Sequence, residues 1–261
     1  MEKGERLTAK ITFLGTGGGR FVTLSQARST GGWVLEMDRQ MLHIDPGPGA
    51  LLMAKKFGVS LKRLTCIAIS HNHIDHYNDA VIVFEAMTDG ARIKRGAIIG
   101  NEQITKSSEK ENLPVFSGFH LKYAERVEPM KPGDIINIGN VKATATSTRH
   151  RDFKGIGFVF EGSRKIGYPS DGEYFDGQEK HFQGCDCIIL NCLRPRGEKW
   201  PGHMNTEQAM ELINKAKPKL AVLQHFGMRM LRGVSFKEAA WIQEQTGIKT
   251  IAAKDGMKLD I

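Results

Sequence analysis

The stretch "CIAISHNHIDH", Cys66 to His76, decides the fold. Its first part is an unbroken apolar run rich in β-branched residues, the pattern of a buried strand. The character of the chain then changes at once. His71 and His73 alternate, so in extended backbone both imidazoles point to the same side. Asp75 and His76 follow where the chain must turn into the next helix. Three histidines and a carboxylate within six residues at a strand's end are not packing material. Neutral imidazoles and a carboxylate together suit zinc, with manganese or iron as alternatives.

Working outward, strands and helices alternate. "KITFLG" (10–15), "GGWVLEMD" (31–38) and "QMLHID" (40–45) read as strands, and "ALLMAKKFG" (50–58) as a helix. "NDAVIVFEAMTDG" (78–90) reads as the next helix, with Asn78 or Asp79 as cap and Gly90 as stop. The second half repeats the style. "DIINIGNVKATATS" (134–147) and "GIGFVFEGSRKIGYPSD" (155–171) predict hairpins turning at Gly139-Asn140 and Gly162-Ser163. "CDCIILNCL" (185–193) and "KLAVLQHF" (219–226) are buried strands, with a helix between them that Asn205 caps. "SFKEAAWIQEQTG" (235–247) predicts a helix with a Ser235–Glu238 capping box, and a last hairpin turns at Asp255-Gly256. Strands inside and helices outside, twice over, give an α/β fold of two packed sheets flanked by helices.

H-x-H-x-D-H after a strand resembles the signature of the metallo-β-lactamase fold superfamily, and the resemblance extends over nearly the whole chain. It implies one domain over 1–261, a four-layer αβ/βα sandwich of two mixed sheets, with a hydrolytic metal site on one edge. Asp45 in "HIDPGPG" fits the early aspartate that braces the site, and His150 in "TSTRHRD" fits the third metal histidine. Asp171 in "YPSDGEYF" fits the bridging aspartate, and His225 in "LQHFG" the last histidine. By that resemblance His71, His73 and His150 hold one divalent ion. Asp75, His76 and His225 hold a second, and Asp171 lies between them. Zinc is expected at both positions. Two ions about 3.5–4 Å apart can share a hydroxide, lowering the pKa of water from about 15.7 to about 7, and clamp an in-line displacement.

"FLGTG" followed by "IDPGPG" resembles the branch holding the tRNA 3′-processing endonuclease and the phosphoribosyl cyclic-phosphate phosphodiesterase. That branch has an additional histidine before a helix, matched by His203 in "PGHMNTEQA", which implies a general acid at the leaving oxygen. Asp75 then orients or deprotonates the attacking water. Where di-iron oxidoreductases of the superfamily carry Glu, this chain has His73, which argues against redox chemistry. Arginines crowd the expected ligands: Arg149 and Arg151 flank His150, and Arg229 and Arg232 follow His225. A positive rim suits a phosphate-bearing substrate such as RNA or a nucleotide, with Arg20, Arg28, Arg149 and Arg229 as candidate contacts. The chain also departs from the tRNA-processing pattern. It has Arg28-Ser29 where Arg-Asn is usual, Ser170-Asp171-Gly172 in place of Gly-Asp-Thr, and no basic Gly/Pro-rich arm. A smaller nucleotide, a cyclic phosphodiester or another RNA is therefore as open as tRNA. Hydrolysis of a lactone, thioester or β-lactam is the rival reading, and a non-catalytic metal-stabilised nucleic-acid-binding protein the third.

Composition bounds the rest. The 261 residues are 40% hydrophobic and 25% charged, ordinary for a globular protein. No apolar run nears the roughly 20 residues needed to cross a bilayer. The polar start "MEKGERLTAK" lacks a signal peptide's apolar core, so a cytoplasmic protein is expected. A net charge of +8 favours an anionic partner. Cys66, Cys185, Cys187 and Cys192 read as buried reduced thiols, with Cys185 and Cys187 on one side of a strand. His43, His120 and His181 read as structural or surface residues. A homodimer through Met228, Met230, Leu231 and Trp241 is open, though core packing explains those residues equally well.

One glycine-rich stretch needs a decision. "FLGTGGGR" (13–20) looks like a dinucleotide-cradling loop, but Arg20 stands where G-x-G-x-x-G needs its last glycine. The following "FVTLSQARSTGG" shows no clear helix to present its N-terminus to a pyrophosphate. The glycines are expected at the rim of the metal site, where backbone must pass close to a neighbour.

Overall fold

A computed structural model describes residues 8–106, 114–151 and 154–261. The polar start of the chain, through residue 7, lies outside these described residues. The first half supplies β1 (Lys10–Phe13), β2 (Trp33–Met37), β3 (Gln40–Ile44), β4 (Cys66–Ile69), β5 (Ala97–Gly100) and β6 (Arg126–Pro129). The second supplies β7 (Ile135–Ile138), β8 (Val141–Ser147), β9 (Ile156–Glu161), β10 (Lys165–Tyr168), β11 (Cys187–Asn191), β12 (Leu220–Gln224) and β13 (Thr250–Ala252). A last strand, β14 (Lys258–Asp260), returns to the first sheet. The sheets run β14-β1-β2-β3-β4-β5-β6 and β13-β12-β11-β10-β9-β8-β7. Each is mixed: β3 to β6 and β10 to β13 are parallel, and the other pairings are antiparallel.

The apolar runs follow from burial on both faces. In β4, Cys66 and Ala68 face the core between the sheets, while Ile67 and Ile69 face a second core outside. β11 repeats this, with Cys187 and Ile189 inside and Ile188 and Leu190 outside. A strand buried on both sides has no polar alternation to show. Trp33 anchors the inner core, edge-on to Phe160 and Tyr168 at centroid distances of 6.2 and 5.5 Å. The helices are α1 (Arg20–Ser25), α2 (Ala50–Lys56), α3 (Ile74–Tyr77), α4 (Ala80–Met87), α5 (Gly118–Leu121), α6 (Thr206–Ala216) and α7 (Val234–Thr246). α2 and α4 cover the first sheet, and α6 and α7 the second. None of the described helices is long and apolar enough to cross a membrane.

Both expected hairpins form, pairing Ile138 with Val141 and Glu161 with Lys165. Asn205 caps α6 in a reciprocal capping box with Gln208. Three expectations need correction. The C-terminal segment is not a hairpin: β13 lies parallel to β12 in one sheet and β14 antiparallel to β1 in the other. Asp255 ties that crossing down, accepting the amides of Thr16 and Ser29 and the Thr16 hydroxyl at 2.6–2.9 Å. The Ser235–Glu238 capping box is absent, because α7 begins two residues earlier with Gly233 as cap. Glu238 instead binds Arg196 at 3.2 Å. Cys185 and Cys187 point into different cores, since Cys185 precedes the strand and the two-residue period does not reach it. All four thiols are free and buried. Of the residues considered for a dimer face, Met230 is fully buried and Leu231 and Trp241 pack on the α6–α7 core, leaving Met228 exposed.

His43 is structural. Its Nε2 lies 2.8 Å from the Gly31 carbonyl, and Nδ1 has no partner. Burial pushes the imidazole down to about 4, against the weaker pull of the Gly31 carbonyl and Asp45. A histidine that folds neutral stabilises fully above its unfolded value, and that contribution is lost as pH falls towards its folded one. Between pH 7 and pH 4 the wild type should lose about 3 kcal/mol more stability than His43→Gln. Urea titrations of both proteins at the two pH values measure the difference, and equal losses would remove His43 from the acid response.

Candidate metal centre

The chemistry collects at the carboxyl ends of the parallel strands, where open α/β sheets place their sites. After β4 the chain stays extended through His71 and turns into α3 with His73 as the cap, which brings Asp75 and His76 back over the same point. The first sheet thus supplies His71, His73, Asp75 and His76. From the second come His150 after β8, Asp171 after β10, His203 before α6 and His225 after β12.

These residues meet. His73 Nδ1 lies 3.0 Å from both His71 Nε2 and His150 Nε2. His76 Nε2 lies 3.2 Å from His225 Nε2, which is 3.3 Å from the Asp75 carboxylate. Asp171 stands between the groups, its oxygens 3.8 Å from His71, 3.3 Å from His76 and 3.5 Å from His225. His203 Nδ1 is 3.4 Å from the same carboxylate. Within each of the sets His71–His73–His150 and Asp75–His76–His225, the donor atoms lie within 4.8 Å of one another.

Outer partners fix which nitrogens point inward. His76 Nδ1 donates to Asp45 at 2.9 Å, and His150 Nδ1 to the Gly202 carbonyl at 2.6 Å. The Ser70 hydroxyl donates to Asp45 at 2.7 Å, so it accepts from His71 Nδ1 at 3.0 Å. Each of these imidazoles therefore turns its Nε2 into the cluster. A divalent cation would take the Nε2 lone pairs in place of any proton that they carry. The donor set fits such an ion.

The electrostatics say the same. Burial disfavours a charged His76, yet Asp171, Asp45 and Asp75 outweigh it and hold the imidazole well above its ordinary value. Burial also opposes charge on Asp171, but His225 and His76 keep its carboxyl well below the usual range. Asp75 is held down the same way by His76 and His225. Burial, then His76, pushes His71 the other way. One buried proton thus balances the carboxylates at the place the donor set suits for metal.

The resemblance named Asp45 as a brace of this cluster, but sequence reasoning missed its partners and the second brace, on Asp171. Asp45 accepts the Ser70 amide at 2.7 Å and the Tyr168 hydroxyl at 2.6 Å, in addition to His76. Asn191 donates to Asp171 at 2.7 Å and is itself held by Gln224 at 3.0 Å. The signal was present: Tyr168, Asn191 and Gln224 each close an apolar strand at the end where the ligands sit. Asp45, Ser170 and His225 all adopt positive φ, at 51°, 62° and 58°. Left-handed backbone at three non-glycine residues marks a site held by its surroundings.

The glycine loop lies against the cluster. The Gly18 amide donates to the Phe226 carbonyl at 3.2 Å and the Gly19 amide to Asp75 at 2.9 Å, so both are bound to protein groups. Contrary to expectation a helix does follow, α1, but it has only six residues. Arg28 turns inward rather than to the rim. It donates to Thr16 and the Ala253 carbonyl and covers the Phe226 ring. Arg20 is exposed, Arg149 lies over Phe175 and Arg229 pairs with Glu198. His120 pairs with Glu85, and His181 is exposed.

Residues 40–226 match the β-lactamase superfamily domain. An uncharacterized protein of Methanocaldococcus jannaschii is 35% identical over 258 residues, spanning 98% of this chain and 96% of that protein. A ribonuclease Z of Picrophilus torridus is 25% identical over 272 aligned positions, spanning 85% of this chain and 87% of the enzyme. Among solved structures, the metallo-β-lactamase fold protein YhfI from Bacillus subtilis superposes with a TM-score of 0.80 at 21% identity, covering 98% of this chain and all of that one. A diphosphatase of the PhnP family gives a TM-score of 0.69 at 19% identity over 98% of each chain. With the fold, the clustered donors and the sequence match in agreement, the chain belongs to the metallo-β-lactamase superfamily of metal-dependent hydrolases and has relatives in its ribonuclease Z-like branch.

Proposed function

We propose that the protein is a phosphodiesterase or ribonuclease that uses two divalent ions, zinc by preference. His71, His73 and His150 would hold one ion, Asp75, His76 and His225 the other, with Asp171 shared between them. When bound, such ions neutralise phosphoryl oxygens and lower the pKa of water. The rest falls to the chain's own side chains. Asp75, kept as a carboxylate, accepts the Gly19 amide on the same oxygen that faces His225 at 3.3 Å, and from that position would orient an attacking water. His203 supports the reading most: it stands 4.8 Å from the His150 ring and 3.4 Å from Asp171, a histidine at the cluster beyond the six imidazole and carboxylate donors of the two sets. Burial lowers it to about 4. An anionic phosphate beside it would raise that value and let it protonate the leaving oxygen. Ribonuclease Z and PhnP-family diphosphatase are the names of relatives, and both act on phosphorus esters or anhydrides.

Replacing His203 by alanine should lower turnover of a short oligoribonucleotide by about 10²–10⁴-fold and leave the metal content unchanged. Hydrolysis of bis(p-nitrophenyl) phosphate, whose leaving group needs no proton, should fall far less. Equal losses on both substrates would remove the general-acid role. Wild-type protein that hydrolyses lactones briskly but no phosphodiester with zinc or manganese would overturn the assignment. Tight, salt-sensitive RNA binding without cleavage would favour a binding protein instead.

A further inference from the structure

Trp200 is 45% exposed, although it lies on the turn that carries His203. The His203 amide donates to the Trp200 carbonyl at 3.1 Å, so the two α-carbons lie within about 7 Å. The turn is fixed to the metal centre, because the Gly202 carbonyl receives His150 Nδ1 and the Gly202 amide reaches Glu173 at 2.6 Å. The indole is fixed as well. Arg194 covers one face with its guanidinium 4.8 Å from the ring, and its own carbonyl is held by Thr206 at the start of α6. One face of a rigid aromatic is thus capped by a cation, and the ring remains open to solvent beside the reacting groups.

The neighbouring rim has matching chemistry. Leu193 packs close to both Gly19 and Gly227, which joins α1 and the turn at Met228–Met230 to the Trp200 loop. Phe21 and Met228 are exposed there, with Arg20 and Arg232 exposed beside them. Stacking surfaces interleaved with cations suit bases and phosphates of unpaired nucleotides. A second copy of the chain fits less well, since a two-fold contact would bring the same arginines face to face.

We propose that the open face of Trp200 is the nucleobase subsite of this centre, stacking the base of a nucleotide substrate. The inference rests on the phosphodiesterase reading and adds the substrate class. The test compares adenosine 5′-monophosphate with ribose 5-phosphate, which has the same sugar phosphate and no base. Calorimetry on the metal-loaded wild type, Trp200→Ala and Trp200→Phe measures both affinities. Trp200→Ala should weaken the nucleotide on the order of 10- to 100-fold, with ribose phosphate within about twofold, and Trp200→Phe should retain most of the affinity. Equal effects on both probes, or none, would overturn the subsite. So would a change from dimer to monomer in Trp200→Ala with unaltered nucleotide affinity, which would make the face a subunit contact. If the wild type cleaves phosphodiesters equally well with and without a base, this inference alone falls. If it binds bases through Trp200 but cleaves nothing, the subsite stands and the hydrolytic assignment falls.

Discussion

Asp171→Ala is expected to lower phosphodiester turnover by about 10³-fold or more and to reduce the metal held per chain. Each carboxylate oxygen faces a different part of the cluster, with His71, His76, His203 and His225 all within 3.8 Å. On the proposed reading, removing it would take away a shared anionic donor, a loss of several kcal/mol in stabilising charge at phosphorus, equivalent to three or more powers of ten in rate. It also leaves one Asn191 N–H without its acceptor at 2.7 Å, while the other keeps the Tyr168 hydroxyl at 3.2 Å, and an unpaired buried donor costs about 1–3 kcal/mol. Asp171→Asn keeps the shape and separates the two effects. It should recover much of the stability and little of the turnover. Elemental analysis of both variants beside kcat checks the assignment, and unchanged metal content in the alanine protein would exclude Asp171 as a ligand.

Gly18→Ala should be nearly as damaging, although alanine adds one methyl. A Cβ there would lie 2.2 Å from three atoms of the His225 ring. His225 cannot simply retreat, because its backbone is in the left-handed region and the Phe226 amide is bonded to Thr16. Either the loop lifts from Asp75 or the imidazole shifts by about 1 Å, and a misplacement of that size can cost about 10²-fold in rate. Overpacking should add a stability loss of about 1–3 kcal/mol. Gly118→Ala is the control, since nothing lies within 4 Å of its added methyl. Turnover of Gly18→Ala matching that control would show that the loop has slack the geometry does not suggest.

The Gly18 contact explains which parts of the site were legible in the sequence. His71, His73, Asp75 and His76 lie within one short segment, so spacing alone brings them together. His150, Asp171, His203 and His225 are each ambiguous in isolation, and only the resemblance ordered them into a set. Tyr168, Asn191 and Gln224 were missed because a polar residue closing an apolar run looks like an ordinary strand end. The role of Gly18 depends on a residue more than two hundred positions away, which no local pattern can reveal. The C-terminal strands failed differently. Asp255-Gly256 has hairpin turn chemistry, but the partners of β13 and β14 belong to different sheets. β6 was missed because Arg126–Pro129 is an edge strand with two charged residues and a proline, and β5, Ala97–Gly100, has no polar alternation to mark it.

The division of the donors between the sheets has a mechanical consequence. Four of the proposed donors belong to the first half of the chain and three to the second, and no metal-holding set proposed above is complete without Asp171 or a histidine from the second sheet. An ion bound there acts as a clasp across the sandwich, so metal loading and the docking of the two halves form one equilibrium. Affinity for the ion then depends on how well the whole inner core seats the sheets against each other. Trp33 and Phe160, which hold no ion themselves, are in that sense part of the coordination chemistry.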